Sequence, residues 1–390
     1  MRATLALPVV RCNRKDGTGP GQASVYKSAL WAVCQRCWTA PLLVDHNTGR
    51  TDRKGTRSML LGLRVPETMR VAVPAGGGDR LELMDIPVPE PVRDEVLVRI
   101  HAAGVNRADL LHLRGRYASA SRRPGGPDIA GLEFAGRIAA VPDDADAGLL
   151  GTAVMGLNPA SFAEYAAVDI RLLLGLSPGA DLVQAAGLPM SLLTAHDALV
   201  SLGTAQAGDV CVVTAATSAV GLAVVQLARQ LGLRVIAISR RHEGRRLLTE
   251  IGADETAASP AEVAHAHADA IDLVIDLIGG EAAAPLLNAM APGGRFLSVG
   301  RLGSAEVTID LNQLAGRRAT LIGTTWRTRD IDQVAAAVGR LRVGDAPGRP
   351  RFELQPIVAG VVPFDEVNDA LNRLSDERPP GKLVITLDAV

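Results

Sequence analysis

The chain has 390 residues, 47% of them hydrophobic, and a formal net charge of -1 at pH 7, enough apolar material for a large core and two domains. The charge is uneven: residues 1–68 carry +7 and residues 69–390 carry -8, so the body offers no basic footprint for nucleic acid. No apolar run approaches the ~20 residues of a membrane span, and with Cys12, Cys34 and Cys37 near the start and only Cys211 after them, the body has no disulfide framework and suits a reducing cytoplasm.

Residues 1–68 mix Arg, Gly, Ser and Thr with scattered apolar residues and keep no sustained period. They read as a disordered leader or a coding start placed too early, with a basic targeting segment or a small metal site as alternatives. Cys34-x-x-Cys37 has no second pair at zinc-finger spacing. From Met69 the chain becomes strand-rich and is punctuated by Pro and Gly. Met69–Val73, Leu81–Ile86, Glu95–Ala102 and Gly131–Ala140 are the strand candidates, which points to a mainly antiparallel first domain. Leu188–Leu202 reads as one helix leading into the next domain.

That domain opens with Gly208–Gly221, GDVCVVTAATSAVG. Val210, Val212 and Val213 form a short β-branched run of the kind buried in a parallel sheet. A turn of small residues follows, and then Val220, Val224, Leu227, Ala228 and Leu231 recur on one helix face up to Gly232, a left-handed stop. Strand, tight turn and helix suit a dinucleotide pyrophosphate, whose charge is met by free N–H groups and the positive end of the helix dipole. The G-x-G-x-x-G pattern is incomplete, because Ala215, Ala216 and Ala219 stand where glycines are usual and only Gly221 remains. The second strand, Leu233–Ser239, ends in Ser239-Arg240-Arg241, where an NAD enzyme would carry an acid for the ribose hydroxyls. A hydroxyl and two guanidiniums suit a 2′-phosphate instead, so the predicted cofactor is NADPH. Four more strand candidates alternate with helices at Asp254–Ala258, Ile271–Leu277, Arg295–Val299 and Ala319–Thr324, completing the six of a doubly wound sheet. The tail has helices at Ile331–Leu341 and Phe364–Leu374 and a last strand, Lys382–Leu387, expected to return to the first domain.

Several chemistries fail on residue count. A short-chain reductase needs Tyr followed four residues later by Lys, yet Tyr117 and Tyr165 are followed there by Ser121 and Asp169. Zinc alcohol dehydrogenase chemistry needs a Cys in the first domain, and residues 69–210 contain none. His265-x-His267 reads as a surface feature of an Ala-rich helix.

The strings GVNRADLLHLRGRY (104–117), DIAGLEFAG (128–136), SFAEYA (161–166), LTAHDAL (193–199), DLIGG (276–280), GTTWRTR (323–329) and PPGKLVI (379–385) run in order through residues 69–390. Together with the near match at Gly252-Ala253-Asp254, they resemble the zinc-free quinone oxidoreductases of the medium-chain dehydrogenase/reductase superfamily. The resemblance implies an α/β protein: a GroES-like, mainly β catalytic domain over 69–187 and 328–390, and a doubly wound parallel-sheet Rossmann domain for NADPH over 188–327. It places Asn106 and Leu132 where zinc-containing relatives hold Cys and His. It implies that Asn106 and Asp109, with Tyr117 nearby, shape the nicotinamide and substrate cleft, and that Thr194 borders the nicotinamide. Ala215, Ala216, Thr217, Ser218, Ala219, Val220 and Gly221 would hold the pyrophosphate, with Gly300 in the same cofactor set. Ser239, Arg240 and Arg241 would take the 2′-phosphate, and Arg327 and Lys382 would reach the cofactor from the far side. Relatives often have a Tyr beside the adenine ribose where Ala257 and Ala258 stand here, so selectivity would rest on the Arg pair. No metal is expected.

Each position also has a plainer reading. Asn106 suits a turn, Asp109 a helix cap or ion pair, Thr194 a back-bond to a helix carbonyl, Tyr117 packing, and Glu133 a buried carboxylate paired with an Arg. The expected reaction is hydride transfer from nicotinamide C4 to a small-molecule electrophile, a quinone or enone, in the interdomain cleft, with orientation and exclusion of water from the protein. An enoyl reductase and a non-catalytic NADPH-binding sensor are the alternatives. The resemblance also implies a homodimer, and the run Val307–Leu311 is a candidate edge for sheet-to-sheet pairing; a cytoplasmic location with no nucleic-acid or membrane partner is the expectation from the cysteines, charge and hydropathy.

Overall fold

The computed structural model describes residues 60–62, 65–76, 78, 80–92, 94–117, 125–142, 147–342 and 354–387. The expectations for Cys12, Cys34 and Cys37 lie outside those residues. Leu60–Gly62, inside the stretch read as a leader, pairs antiparallel with Pro142–Ala140.

Two sheets carry the molecule. The larger runs in the order Val358–Pro363, Lys382–Thr386, Glu95–Val105, Glu133–Pro142, Ala153–Leu157, Leu173–Gly175, with Tyr165–Asp169 also on Glu95–Val105. It is antiparallel except where Val358–Pro363 joins Lys382–Thr386. Its centre is buried on both faces, so Glu95–Val105 reads iBBBeBiBBBB rather than alternating. The last strand returns to it as expected, with Leu383 opposite Val105. Thr68–Pro74 and Leu81–Pro87 form a separate antiparallel pair.

The second sheet is parallel with strand order Glu255–Ala257, Arg234–Ile238, Val210–Val213, Ile271–Asp276, Met290–Ser298, Thr320–Gly323. That is order 3-2-1-4-5-6, which reverses between Val210–Val213 and Ile271–Asp276, and ligands bind at the carboxyl ends of strands beside such a switch point. Helix Ala219–Gln230 packs Leu222, Val224, Val225 and Leu227 into the sheet, each at most 2% exposed. Burial pushes the Cys211 thiol up to about 12, so it behaves as a small hydrophobe.

Two expectations need correction. Leu188–Leu202 is not one α-helix: Pro189–His196 is α-helical, and Asp197–Leu202 widens into a π-turn with Gly203 N–H bonded to the Ala198 carbonyl. Apolar spacing reports which residues are buried, not the helix pitch. Val307–Leu311 is not an edge strand. Asp310 caps the helix Leu311–Gly316 through Asn312 N–H at 2.8 Å, and that local bond overrides the β-branched run. One of the two edges of this sheet is Thr320–Gly323, with Leu321 42% exposed.

Candidate active site

The first group of site residues is built on a buried ion pair. Glu133, at the start of its strand, is 0% exposed, and Lys382, at the start of the returning strand, is 4% exposed. Lys382 Nζ donates to Glu133 Oε1 at 2.6 Å and to Asn106 Oδ1 at 2.7 Å. Asn106 Nδ2 donates to Glu133 Oε1 at 2.8 Å and to the Gly104 carbonyl at 3.2 Å, and Met190 N–H donates to Glu133 Oε2 at 2.7 Å. The amide of Asn106 is thus engaged at both ends, and its orientation is fixed by a cation on one side and a carboxylate on the other. Glycine at 104 makes this possible, because a Cβ there would lie 2.5 Å from Glu133 Oε1. The partner of Glu133 is a Lys and not the expected Arg, since the chain brings Lys382 to it across 249 residues.

Asp109 joins through the cap of helix Arg107–Leu113, where its Oδ2 accepts the Asn106 N–H at 2.7 Å. It is 1% exposed, and burial pushes its carboxyl up to about 7, against the opposing effects of the Asn106 N–H and the Lys382 charge. Burial, and next the Asp109 charge, push Tyr117 up to about 12, so it keeps its proton at neutral pH. Arg327 lies over the same loop, donating to the Arg116 carbonyl at 3.2 Å.

Tyr117 lines a cavity with Leu132, Met190 and Trp326. Thr194 makes the back-bond considered above, its hydroxyl donating to the Met190 carbonyl at 2.7 Å, and it also accepts the Trp326 indole N–H at 3.0 Å.

The second group is the turn of the parallel sheet. Ala215 has φ of 43°, and Ala216 is fully buried. Ser218 caps the helix by accepting Gly221 N–H at 3.2 Å, so Thr217, Ser218, Ala219 and Val220 surround a helix N-terminus. Gly221 is required by close approach: a Cβ would lie 2.6 Å from the Ala216 backbone. The two groups meet where Gly381 N–H donates to the Thr217 carbonyl at 3.0 Å, one residue before Lys382.

The third group sits at the end of the second strand. Ser239 is 7% exposed, whereas Arg240 and Arg241 are exposed. Arg241 reaches across to the Glu377 carbonyl at 3.2 Å, and Arg245 donates to the carbonyls of Ser239 and Arg240 at 3.0 and 3.1 Å, bracing the loop.

Sequence reasoning missed the residues at the switch point. Thr214 donates to Asp276 at 2.7 Å, and Asp276 also accepts Ile278 and Gly279 N–H. Burial raises its carboxyl, and Gly300 N–H donates to its backbone carbonyl at 3.0 Å. The string DLIGG marked the place but not the role. His267 is not a free surface histidine, since its Nε2 lies 2.8 Å from Glu255 and its side chain is 12% exposed.

A fold of this kind, with a helix N-terminus and small-residue turn at the switch point facing a mainly β domain, is that of a nicotinamide-dependent oxidoreductase. Known proteins carry the same features. The family model for the alcohol dehydrogenase GroES-like domain matches residues 92–178, and that for zinc-binding dehydrogenases matches residues 219–340. Human quinone oxidoreductase is 28% identical over 340 residues, covering 84% of this chain and all of that protein. The quinone oxidoreductase of Thermus thermophilus, whose structures include a complex with NADPH, is 34% identical with a TM-score of 0.68, covering 82% of this chain and 100% of that one. A thermostable alcohol dehydrogenase from Pyrobaculum aerophilum is 28% identical with a TM-score of 0.67 over the same shares. The chain belongs to the medium-chain dehydrogenase/reductase superfamily. Within it, this is an oxidoreductase of the quinone oxidoreductase type.

Proposed function

We propose that the chain is an NADPH-dependent, zinc-independent quinone oxidoreductase. The observation that carries this reading is the cavity beside Thr194: among the described residues it is lined by apolar side chains apart from Asn158, Tyr117 and Trp326, and Tyr117 is its one ionisable group. Such a wall suits a planar carbonyl acceptor whose reduced anion is stabilised by its own conjugation. When bound, the dinucleotide supplies the hydride. The chain's residues do the rest. The Thr217–Gly221 turn holds the pyrophosphate, the Asn106–Glu133–Lys382 network fixes the cleft wall, and Leu132, Met190 and Trp326 keep water from the acceptor.

Zinc independence is supported by what stands between Asn106 and Glu133. The Lys382 ammonium lies within 2.7 Å of both, an internal cation where a metal would need anionic or imidazole ligands. Asn106 and Leu132 do not make such a ligand set. Preference for NADPH is supported by the exposed Arg240–Arg241 pair beside Ser239, with no acid among the three residues at the end of the strand. A cytoplasmic homodimer completes the proposal. Among the described residues, no helix is long and apolar enough to cross a membrane.

One observation favours reduction of an enoyl thioester as a second reading. Arg107 is half-buried, and the charged groups that depress it, after burial itself, are Arg378 and Arg114, a basic cluster of the kind that takes the phosphates of such an acceptor.

The test is oxidation of NADPH and NADH by 1,4-benzoquinone and by an enoyl-CoA. Turnover of the quinone with NADPH preferred, and that preference reduced roughly tenfold or more in Arg240→Ala/Arg241→Ala through loss of charge-assisted bonds, is the expected result. Turnover of enoyl-CoA alone would select the second reading, and NADPH binding without turnover of either would leave a sensor.

A further inference from the structure

Trp326 lies on the wall of the cleft cavity and is the only tryptophan among the described residues. Two contacts fix its ring. The indole N–H donates to Thr194 Oγ1 at 3.0 Å, and because that hydroxyl gives its own proton to the Met190 carbonyl, its oxygen is left to accept. The Arg329 guanidinium lies 3.9 Å from the ring centroid and covers one face. Arg329 is itself held, donating to Asp197 at 2.5 Å and to Thr324 Oγ1 at 3.0 Å. Asp197 is 4% exposed and also faces Arg340 at 3.6 Å. The ring is therefore held in one orientation, with its N–H and one face engaged, while the residue lines the cavity. Tyr117 lines the same cavity in a chain with only 3 Trp, 3 Tyr and 5 Phe. The bond to Thr194 puts the indole one contact from the residue expected to border the nicotinamide.

We propose that Trp326 is the platform on which a planar, fused-ring quinone stacks, making it the residue that selects bicyclic acceptors over monocyclic and open-chain ones. The inference rests on the quinone reading above. Offset stacking of two aromatic systems is worth roughly a factor of two to ten in affinity, and it grows with the overlapping area, so a naphthoquinone gains more than a benzoquinone. Because the platform is fixed before the acceptor arrives, little side-chain entropy is lost on binding.

The experiment uses the full chain carrying Trp31→Phe and Trp38→Phe, which leaves Trp326 as the sole tryptophan. Its fluorescence is titrated with 1,4-naphthoquinone, and steady-state rates with NADPH are measured for naphthoquinone, benzoquinone and but-3-en-2-one. Saturable quenching is expected. In Trp326→Leu, the ratio of kcat/KM for naphthoquinone to kcat/KM for the enone should fall roughly five- to tenfold, mainly through KM for naphthoquinone. Trp326→Phe, which keeps an aromatic face, should retain most of the selectivity, and it carries the test if the Leu variant fails to fold. Equal changes for all three acceptors, no change for any, or quenching that does not saturate would overturn the platform while leaving quinone reduction standing. Absence of quinone turnover in the parent enzyme would overturn both.

Discussion

At Asp109 a single carboxyl carries a proton that its unfolded form would release. Its ordinary value is 3.8, and burial pushes it to about 7 in the fold. Between those limits the folded state binds more protons than the unfolded one, so stability falls as pH rises. Its contribution is complete below pH 3.8 and is lost as pH passes through about 7. Asp109→Asn, which can still accept the Asn106 N–H, is expected to flatten the pH dependence of the urea midpoint across that window. Glu133 and Lys382 behave differently because each satisfies the other. Glu133→Gln leaves a buried ammonium without its counter-charge and should cost about 3–5 kcal/mol in urea melts, whereas Glu133→Leu combined with Lys382→Met should recover most of it. The pairing was not legible in the sequence. Glu133 and Lys382 stand 249 positions apart, and nothing local distinguishes a buried Lys from a solvated one.

The element that holds the most local information is the strand–turn–helix from Val210 to Gln230. Its strand, its Ser218 cap and its stop before Gly232, whose φ is 78°, follow from β-branching, side-chain capping and glycine's backbone freedom. Gly221→Ala should therefore be felt at the turn itself. The added Cβ would lie 2.6 Å from Ala216, costing about 1–3 kcal/mol of stability and raising the dissociation constant for NADPH, both readable from thermal melts with and without nucleotide. Elsewhere local signals misled. Val307–Leu311 looked like an edge strand because periodicity is blind to the Asp310 cap. The π-turn at Asp197–Leu202 was invisible because its hydrogen-bond pattern leaves the apolar spacing almost unchanged.

Across the described residues, the hydrogen bonds that join the two parts of the molecule include Gly381 to the Thr217 carbonyl, Gln226 and Gln355 exchanging bonds at 2.8 and 3.1 Å, Met190 N–H to Glu133, and Arg241 to the Glu377 carbonyl. The edge strand Thr320–Gly323 pairs on one side only, with Leu321 exposed. An unpaired edge of this kind is a template for strand addition. If the proposed homodimer forms there, Leu321→Lys should convert it to a monomer in light scattering without changing the NADPH dissociation constant. A dimer that survives the substitution would place the interface elsewhere.

The sequence by itself determined the class of each sheet, the six parallel strands with their nucleotide turn, and the return of the last strand, because strand patterning, turn chemistry and helix stops are read over a few residues at a time. Its motifs also named Asn106, Asp109, Thr194 and the Arg240–Arg241 pair as candidates. Only the tertiary structure decided what those residues touch. It closed Asn106 between Lys382 and Glu133, engaged Thr194 with Trp326, and pinned that indole under Arg329, which Asp197 holds. Most of these contacts join residues more than a hundred positions apart, and their geometry comes from packing two sheets around one cleft, which no short-range pattern encodes.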